Sequence, residues 1–362
     1  MIQSIKINNF KVLRELSVER LNQVTLISGK NNSGKSTLLE AIFFSNCYFY
    51  NDSFITLNRL RGATSILLTD VWKSFINVYS SKNFFMIQTH GNGKTKTIDV
   101  KLEIINNILN NSVNNHINES NELGQNTNDK SNITHQLSVL ATDGKISDSL
   151  CFNVKFNGQI DTVNNNPPEN TLRNCPITQY ISSKVGYNQI NLAEMYGKLA
   201  LDTDEKSRQI INALKIFDPN IVDLITIVQQ GNVRLYAVLK DGQKMPIDYM
   251  GDGILKLINI CISILASPNS IILIDEIENG FHYSMHKKIW EVIFKTSKIS
   301  NVQVIATTHS YECINGASDA ANDDIDFGYV RLERTDPTGI VVSKCIDKEQ
   351  LKSALNSTLE IR

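Results

Sequence analysis

Residues Gly29, Lys30, Asn31, Asn32, Ser33, Gly34, Lys35 and Ser36 follow the pattern G-x-x-x-x-G-K-[ST]. Glycines at the two ends of such a loop let backbone N–H groups approach phosphate oxygens, and a following helix adds the positive end of its dipole. Lys35 is then placed to reach the β- and γ-phosphates of a nucleotide, and the Ser36 hydroxyl to complete the shell of a Mg²⁺ ion. Thr37 continues the loop as a further nucleotide contact. The pattern gains meaning from its context. Val24 to Ile27 is a short apolar, β-branched run, and Leu38, Leu39, Ala41, Ile42 and Phe43 give an apolar helical face.

Three further segments carry groups suited to the same chemistry. The apolar run Ile271 to Ile274 ends in Asp275 and Glu276, and a carboxylate at the C-terminal end of a buried parallel strand sits where such sheets bind ligands. Asp275 is expected to hold Mg²⁺ through water, and Glu276 to polarise the water that attacks the γ-phosphate. A second apolar run, Val302 to Ala306, leads through Thr307 and Thr308 to His309, a candidate γ-phosphate sensor. Gly251, Asp252 and Gly253 open a helix just before the acidic strand and offer a second anion-binding surface. A different chemistry is suggested by Glu278, His282 and His286, whose spacing on a helix could hold a metal, but no third ligand of the right type accompanies the two histidines.

The elements that must position these groups fit a soluble globular chain. Of 362 residues, 41% are hydrophobic and 20% charged, enough for one elaborated α/β domain or two domains. Lys+Arg 36 against Asp+Glu 37 leaves a net charge of -1, so the composition carries no global nucleic-acid footprint. The 6 cysteines are scattered without a C-x-x-C, which argues against a zinc ribbon or a disulfide framework and for a reducing cytoplasm. The N-terminus lacks the apolar core of a signal peptide. Ile254 to Ile274 is interrupted by Lys256, Asn259, Pro268 and Asn269, so it reads as a buried helix, a turn and a buried strand, with no membrane span.

Along the chain, Ile2, Ile5 and Ile7 begin an edge strand. Hairpins are predicted between Phe84–Thr89 and Thr97–Leu102, around Asp143-Gly144 and Asn157-Gly158, and about Gly231-Asn232. Asn106 to Asn132 is asparagine-rich and predicts a disordered loop. A helical stretch is expected from Leu192 to Phe217, with Asp202 or Thr203 as the cap of its second half, and the acids Asp319, Asp323, Asp324 and Asp326 fall in a polar loop of solvated charge. The boundaries expected are an ATPase domain of residues 1–50 and 176–362, with 51–175 as an inserted β-rich lobe.

Taken together, IKINNFKVL, LISGKNNSGKSTLLEAIF, YMGDGILKLINI, ILIDEIENGFHYSMHKKIW, VIATTHSYECI and SALNSTLEIR resemble ABC-type ATPases of the RecF/SMC-like group, in particular their OLD-like branch of bacterial AAA-type ATPases. The match covers roughly the first 45 residues and everything after about residue 175. It implies an α/β P-loop NTPase of the ABC-ATPase head type, a mixed sheet flanked by helices with a helical subdomain. By motif, Gly29 to Ser36 is the Walker A loop, Asp275 the Walker B acid, Glu276 the catalytic glutamate and His309 the switch histidine. Met250 to Gly253 lies where the ABC signature lies, and Asn279 to His282 where the D-loop lies. ABC signatures usually carry serine where Gly251 stands, so backbone donors replace a side chain there; Gln179 is the candidate Q-loop glutamine.

The resemblance implies ATP and Mg²⁺ as cofactors and a homodimer or higher oligomer closed by ATP, which gates a nuclease or toxin in an anti-phage or DNA-related system. The alternative is a RecF-like protein that binds DNA directly in repair; a transporter's nucleotide-binding subunit is disfavoured. OLD-like proteins often carry a TOPRIM nuclease domain, yet fewer than about twenty residues follow the strands Gly328–Glu333 and Ile340–Cys345, short of the ~50 that a domain needs. Effector chemistry is therefore expected in trans, with the middle lobe as docking surface. The purified chain with Mg²⁺ or Mn²⁺ should leave linear, nicked and single-stranded DNA intact, and robust cleavage that survives mutation of Glu276 would overturn this expectation.

Overall fold

The computed structural model describes residues 1–50, 52–62, 72–104, 133–155, 160–162, 172, 174–183, 186, 188–202 and 204–356. The asparagine-rich segment and the Asn157-Gly158 turn lie outside the described residues. The chain opens with β1 (Ser4–Phe10), β2 (Leu13–Val18) and β3 (Val24–Gly29), then helices α1 (Lys35–Cys47) and α2 (Ser53–Arg59). Strands β4 (Phe84–Gly91), β5 (Lys94–Ile104), β6 (Ile133–Thr142), β7 (Ser147–Lys155), β8 (Ile160–Thr162) and β9 (Thr178–Ile181) follow. Next come α3 (Gln189–Asp202), α4 (Asp204–Leu214), β10 (Ile221–Gln229), β11 (Asn232–Leu239) and β12 (Lys244–Pro246). The last part alternates: α5 (Gly251–Ala266), β13 (Ile271–Ile274), α6 (His286–Ser300), β14 (Gln303–Thr307), α7 (Tyr311–Ala320), β15 (Phe327–Arg334), β16 (Val341–Ile346) and α8 (Lys348–Asn356).

A six-stranded sheet of order β16-β15-β3-β14-β13-β9 forms the centre, parallel except for β16. Its inner strands are apolar without alternation because both faces are covered. Val24, Leu26, Ile272, Ile274, Val304 and Ala306 join one core with α3 to α8, and Ile27, Ile271, Leu273, Ile305 and Val330 join another with α1. On that second side lies a seven-stranded antiparallel sheet, β2-β1-β4-β5-β6-β7-β8. The strands between Phe84 and Thr162 thus continue a sheet begun by the N-terminal hairpin. Its inward residues, among them Ile5, Ile7, Phe85, Ile87, Val100, Val139 and Phe152, alternate with a polar outer face.

Helix α1 is wedged between the two sheets and buries residues all round, from Leu38, Leu39 and Ile42 to Glu40 and Asn46. A helix without a solvent face needs partners for every polar group it carries. Glu40, 1% exposed, accepts Lys11 at 3.1 Å from the β1–β2 turn and the Arg61 Nε from beyond α2 at 2.5 Å. Burial lowers the Lys11 pKa while Glu40 opposes the shift.

Local chemistry corrects several expectations. β1 is an inner strand flanked by β2 and β4, because the same alternation suits any strand of a sheet with one wet face. The β10–β11 turn is Gln230-Gly231, both at positive φ (50° and 79°), one residue before the predicted pair, as a two-residue hairpin with that twist requires. The helical stretch from Leu192 to Phe217 is two helices, α3 and α4, which divide between Asp202 and Asp204. Asp326 is exposed, as expected of a polar loop, and it also accepts the Asn22 side chain at 2.5 Å and the Gln23 N–H at 2.8 Å.

One buried amide ties the start of β14 to the segments ahead of β1 and β3. Gln303 at the start of β14 accepts the Ile2 N–H at 2.8 Å, and its Nε2 donates to the Ile2 carbonyl at 2.7 Å and the Asn22 carbonyl at 3.2 Å. Gln303→Leu keeps the volume but strands those groups without water. It should cost about 2–4 kcal/mol, read as a lower urea midpoint with an unchanged slope.

Candidate functional site

Strand β3 ends at Gly29 in the middle of the parallel sheet, and the chain turns through Lys30–Gly34 into α1. Both glycines are obligatory on steric grounds. Gly29 has φ 147° and a Cβ there would stand 2.4 Å from the Leu332 carbonyl oxygen; Gly34 has φ 93° and its Cβ would strike Leu13 at 2.5 Å. No side chain caps α1 and no acid occupies its first turn, so its free N–H groups and positive dipole end face the loop. The Lys35 ammonium lies back across the loop, donating to the Gly29 carbonyl at 2.7 Å and the Lys30 carbonyl at 3.1 Å. Burial lowers its pKa, against the opposing pull of Glu278, Asp275 and Glu276.

The acidic strand meets this loop from the side. Asp275, 7% exposed, accepts the Ser36 hydroxyl at 2.9 Å and the Thr307 hydroxyl at 2.7 Å on one oxygen, which joins the ends of β13 and β14 to the start of α1. Ser36 and Asp275 place a hydroxyl and a carboxylate, both hard oxygen donors of the kind that could hold Mg²⁺, side by side. The Asp275 N–H donates to the Ile181 carbonyl and the Ile277 N–H to the Thr307 carbonyl, each at 2.9 Å, so the turn after β13 is pinned on two sides. Glu276 sits at φ 49°, a left-handed conformation rare for a side-chain-bearing residue, held by its N–H to the Thr307 hydroxyl at 2.9 Å. Asn279 donates to the Glu276 carboxylate at 2.7 Å.

A cavity of about 210 Å³ unites the phosphate loop from Asn31 to Thr37 with Glu276, His309, Val12 and Arg61. His309 is turned by Glu278, whose Oε1 accepts both its backbone N–H and its Nδ1 at 2.8 Å. Arg61 has no signature in the sequence, since it follows a short helix in a stretch without periodicity. Its Nη2 donates to the Thr37 hydroxyl at 3.1 Å and, together with Nε, to the Glu40 carboxylate. Lys256 was also unforeseen: it is buried on α5 and donates to the Glu276 carbonyl at 2.7 Å and the Asn279 carbonyl at 3.0 Å. Burial brings its pKa down to about 8, with Glu278 the main opposing charge.

Gly251, Asp252 and Gly253 do not line this cavity. Gly251, at φ 68°, has open space around it, while Gly253 packs so closely on the Gly280 carbonyl that a Cβ would come within 2.6 Å. Gln179 points away from the site: it lies near the start of β9 and donates to the Ser267 hydroxyl at 2.7 Å, because the residues that reach the Asp275 end of that strand are Ile181 and Ser182. The pair His282 and His286 does not share a helical face. His282 is exposed in the turn ahead of α6 and bonded to Ser284, whereas His286 is buried at the helix start. Among the described residues no group of three or more His, Cys, Asp or Glu could hold a metal ion.

A phosphate loop on the central parallel strand, a carboxylate pair on the neighbouring strand but one and a histidine on the strand between define a P-loop ATPase of the ABC head type. The chain belongs to the AAA ATPase domain family, which matches residues 1–314. It is 27% identical over 346 residues to an ATP/GTP phosphatase of Helicobacter pylori, an alignment that covers 87% of this chain and 86% of that protein. Its fold resembles an Smc head bound to the C-terminal winged-helix domain of ScpA, with a TM-score of 0.53, 14% identity and 96% and 98% of the two chains covered. The Smc head with an extended coiled coil bound to a ScpA domain from Pyrococcus furiosus gives a TM-score of 0.52 at 12% identity, covering 98% of each chain.

The loop geometry sets a direct test. ATP with Mg²⁺ at about a hundred times its Kd should add roughly 2.7 kcal/mol and raise the melting temperature by a few degrees. Lys35→Ala should abolish that shift, and an unchanged response in this variant would remove the loop assignment.

Proposed function

We propose that this ATPase binds ATP and Mg²⁺ through Gly29–Thr37 and Asp275, hydrolyses the β–γ phosphoanhydride, and uses the cycle to open and close a head-to-head dimer. The observation that carries this reading is the separation, on one chain, of the phosphate loop and the glycine-opened start of α5. The phosphate loop has its own cavity, whereas the start of α5 at Gly251 faces outward with open space before it. A second copy that presents this surface would supply N–H donors to a γ-phosphate already held by Lys35. No helix among the described residues is long and apolar enough to cross a membrane.

In this reading Glu276 orients the water that attacks the γ-phosphorus, accepting its proton as the bond to the bridging oxygen of ADP breaks and inorganic phosphate leaves. Asn279 and Thr307 hold Glu276 in place, and His309 faces the γ-phosphate. Mg²⁺ would be held by Ser36 and Asp275 and would neutralise charge on the phosphates. The name of the Helicobacter relative extends the candidate substrates to GTP. The Smc heads of similar fold carry a bound partner domain, which supports a gated partner here; the motifs point to an OLD-like defence role with a nuclease or toxin as that partner.

Glu276→Gln separates binding from chemistry, since it leaves the cradle intact. The variant should keep ATP affinity, lose turnover, and accumulate as a dimer by light scattering with ATP. A monomer at micromolar concentration under those conditions would rule out the composite site.

A further inference from the structure

We propose that Glu278 is the positioning residue that makes His309 competent, acting as a buried carboxylate that fixes the imidazole with Nε2 toward the nucleotide cavity. The inference rests on the ATPase reading above and adds to it a residue that does not line the cavity.

The geometry is a one-residue clamp. Glu278 belongs to the turn after β13, and His309 to the turn after β14. A single carboxylate oxygen accepts two N–H groups of the same histidine, the backbone amide and Nδ1, both at 2.8 Å. The main-chain bond fixes where the residue stands and the ring bond fixes how it turns. With Nδ1–H committed to Glu278, Nε2 is the ring atom left for the cavity, as a carboxylate behind an imidazole sets its tautomer in other sites. The burial gradient agrees with that direction. The Glu278 side chain is 8% exposed and that of His309 50% exposed, so the anchored end is dry and the working end faces the cavity.

The same carboxylate has a second connection. Its other oxygen, Oε2, is buried with no hydrogen-bond partner among the described residues. Such an oxygen is costly unless charge nearby compensates it. Two buried amines do so: Glu278 is the largest opposing charge for Lys35 of the phosphate loop and for Lys256 of α5. Lys256 in turn donates to the Glu276 carbonyl. Glu278 therefore stands between the loop lysine, the helix that carries the outward glycines and the histidine, and its turn also carries Glu276.

Four variants test this: Glu278→Ala, Glu278→Gln, His309→Ala and the Glu278→Ala/His309→Ala double. Steady-state ATPase rates and the Kd for a fluorescent ATP analogue are the readouts. Glu278→Ala should lower kcat by about tenfold or more while the Kd stays within about threefold, and the double variant should be no slower than about half the slower single. Glu278→Gln keeps an acceptor, with its amide oxygen held inward by the His309 N–H, and should retain kcat within about fivefold of wild type. Nitrogen NMR of labelled histidine should place the His309 proton on Nδ1 in the wild type and lose that preference in Glu278→Ala. Losses that multiply in the double variant, a wild-type rate in Glu278→Ala, a Kd that worsens in step with kcat, or a Gln variant as slow as the Ala one would each overturn the inference. A wild-type chain that neither binds nor hydrolyses ATP would take down the ATPase reading with it, whereas robust wild-type turnover unaffected by Glu278→Ala removes this proposal alone.

Discussion

The burial of α1 between two sheets is the constraint on which the rest of the molecule depends. A helix enclosed on all sides cannot tilt or slide without opening the core between the two sheets, so its N-terminus and the loop before it are held in one position. That rigidity is what a phosphate cradle needs, because N–H donors act on charge only if they are already aimed. Enclosure also raises the cost of any polar group on the helix, and Glu40 meets that cost with Lys11 and Arg61. Through this ion cluster the N-terminal hairpin and the residues after α2 are drawn to the rim of the nucleotide cavity.

The acidic turn after β13 is held by a different device. Here hydroxyls and main-chain groups from neighbouring strands, rather than packing, fix the acids. Thr307 serves Asp275 with its hydrogen and Glu276 with its oxygen, so one side chain on β14 sets the relation of two acids at the end of β13. The left-handed Glu276 costs of order 1–3 kcal/mol and persists because these bonds determine it. Charge is balanced in the same small volume: burial lowers the pKa of the Lys35 and Lys256 amines, and Asp275, Glu276 and Glu278 oppose that shift.

Much of this was legible in the residues. The Gly29–Ser36 pattern, the apolar run ending in Asp275 and the run ending near His309 each join a local motif to an element whose period is readable, and the structure gathers Lys35, Ser36, Asp275, Glu276 and His309 at one end of the parallel sheet. Hairpins with turn glycines, such as β4–β5 and β6–β7, were legible for the same reason. Gln179 was misplaced because the end of β9 that faces Asp275 depends on register with β13, and a four-residue strand carries no register signal of its own. Arg61, Glu40 and Lys256 were missed because nothing local marks a charge that is about to be buried.

What the sequence determined by itself, then, is the chemistry of short segments: a phosphate loop, an acid pair after a strand, glycines opening a helix, and the alternation or absence of it that separates a half-wet sheet from a covered one. These follow from near-neighbour sterics and side-chain periodicity, which act within a dozen residues. Tertiary structure alone decided that the N-terminal hairpin seeds the antiparallel sheet, that Glu278 reaches across two turns to His309, and that Gly251 turns outward while Lys35 turns in. Those outcomes rest on contacts between residues distant in the chain, where burial sets the strength of each charge and hydrogen bond, and burial is a property of the assembled fold.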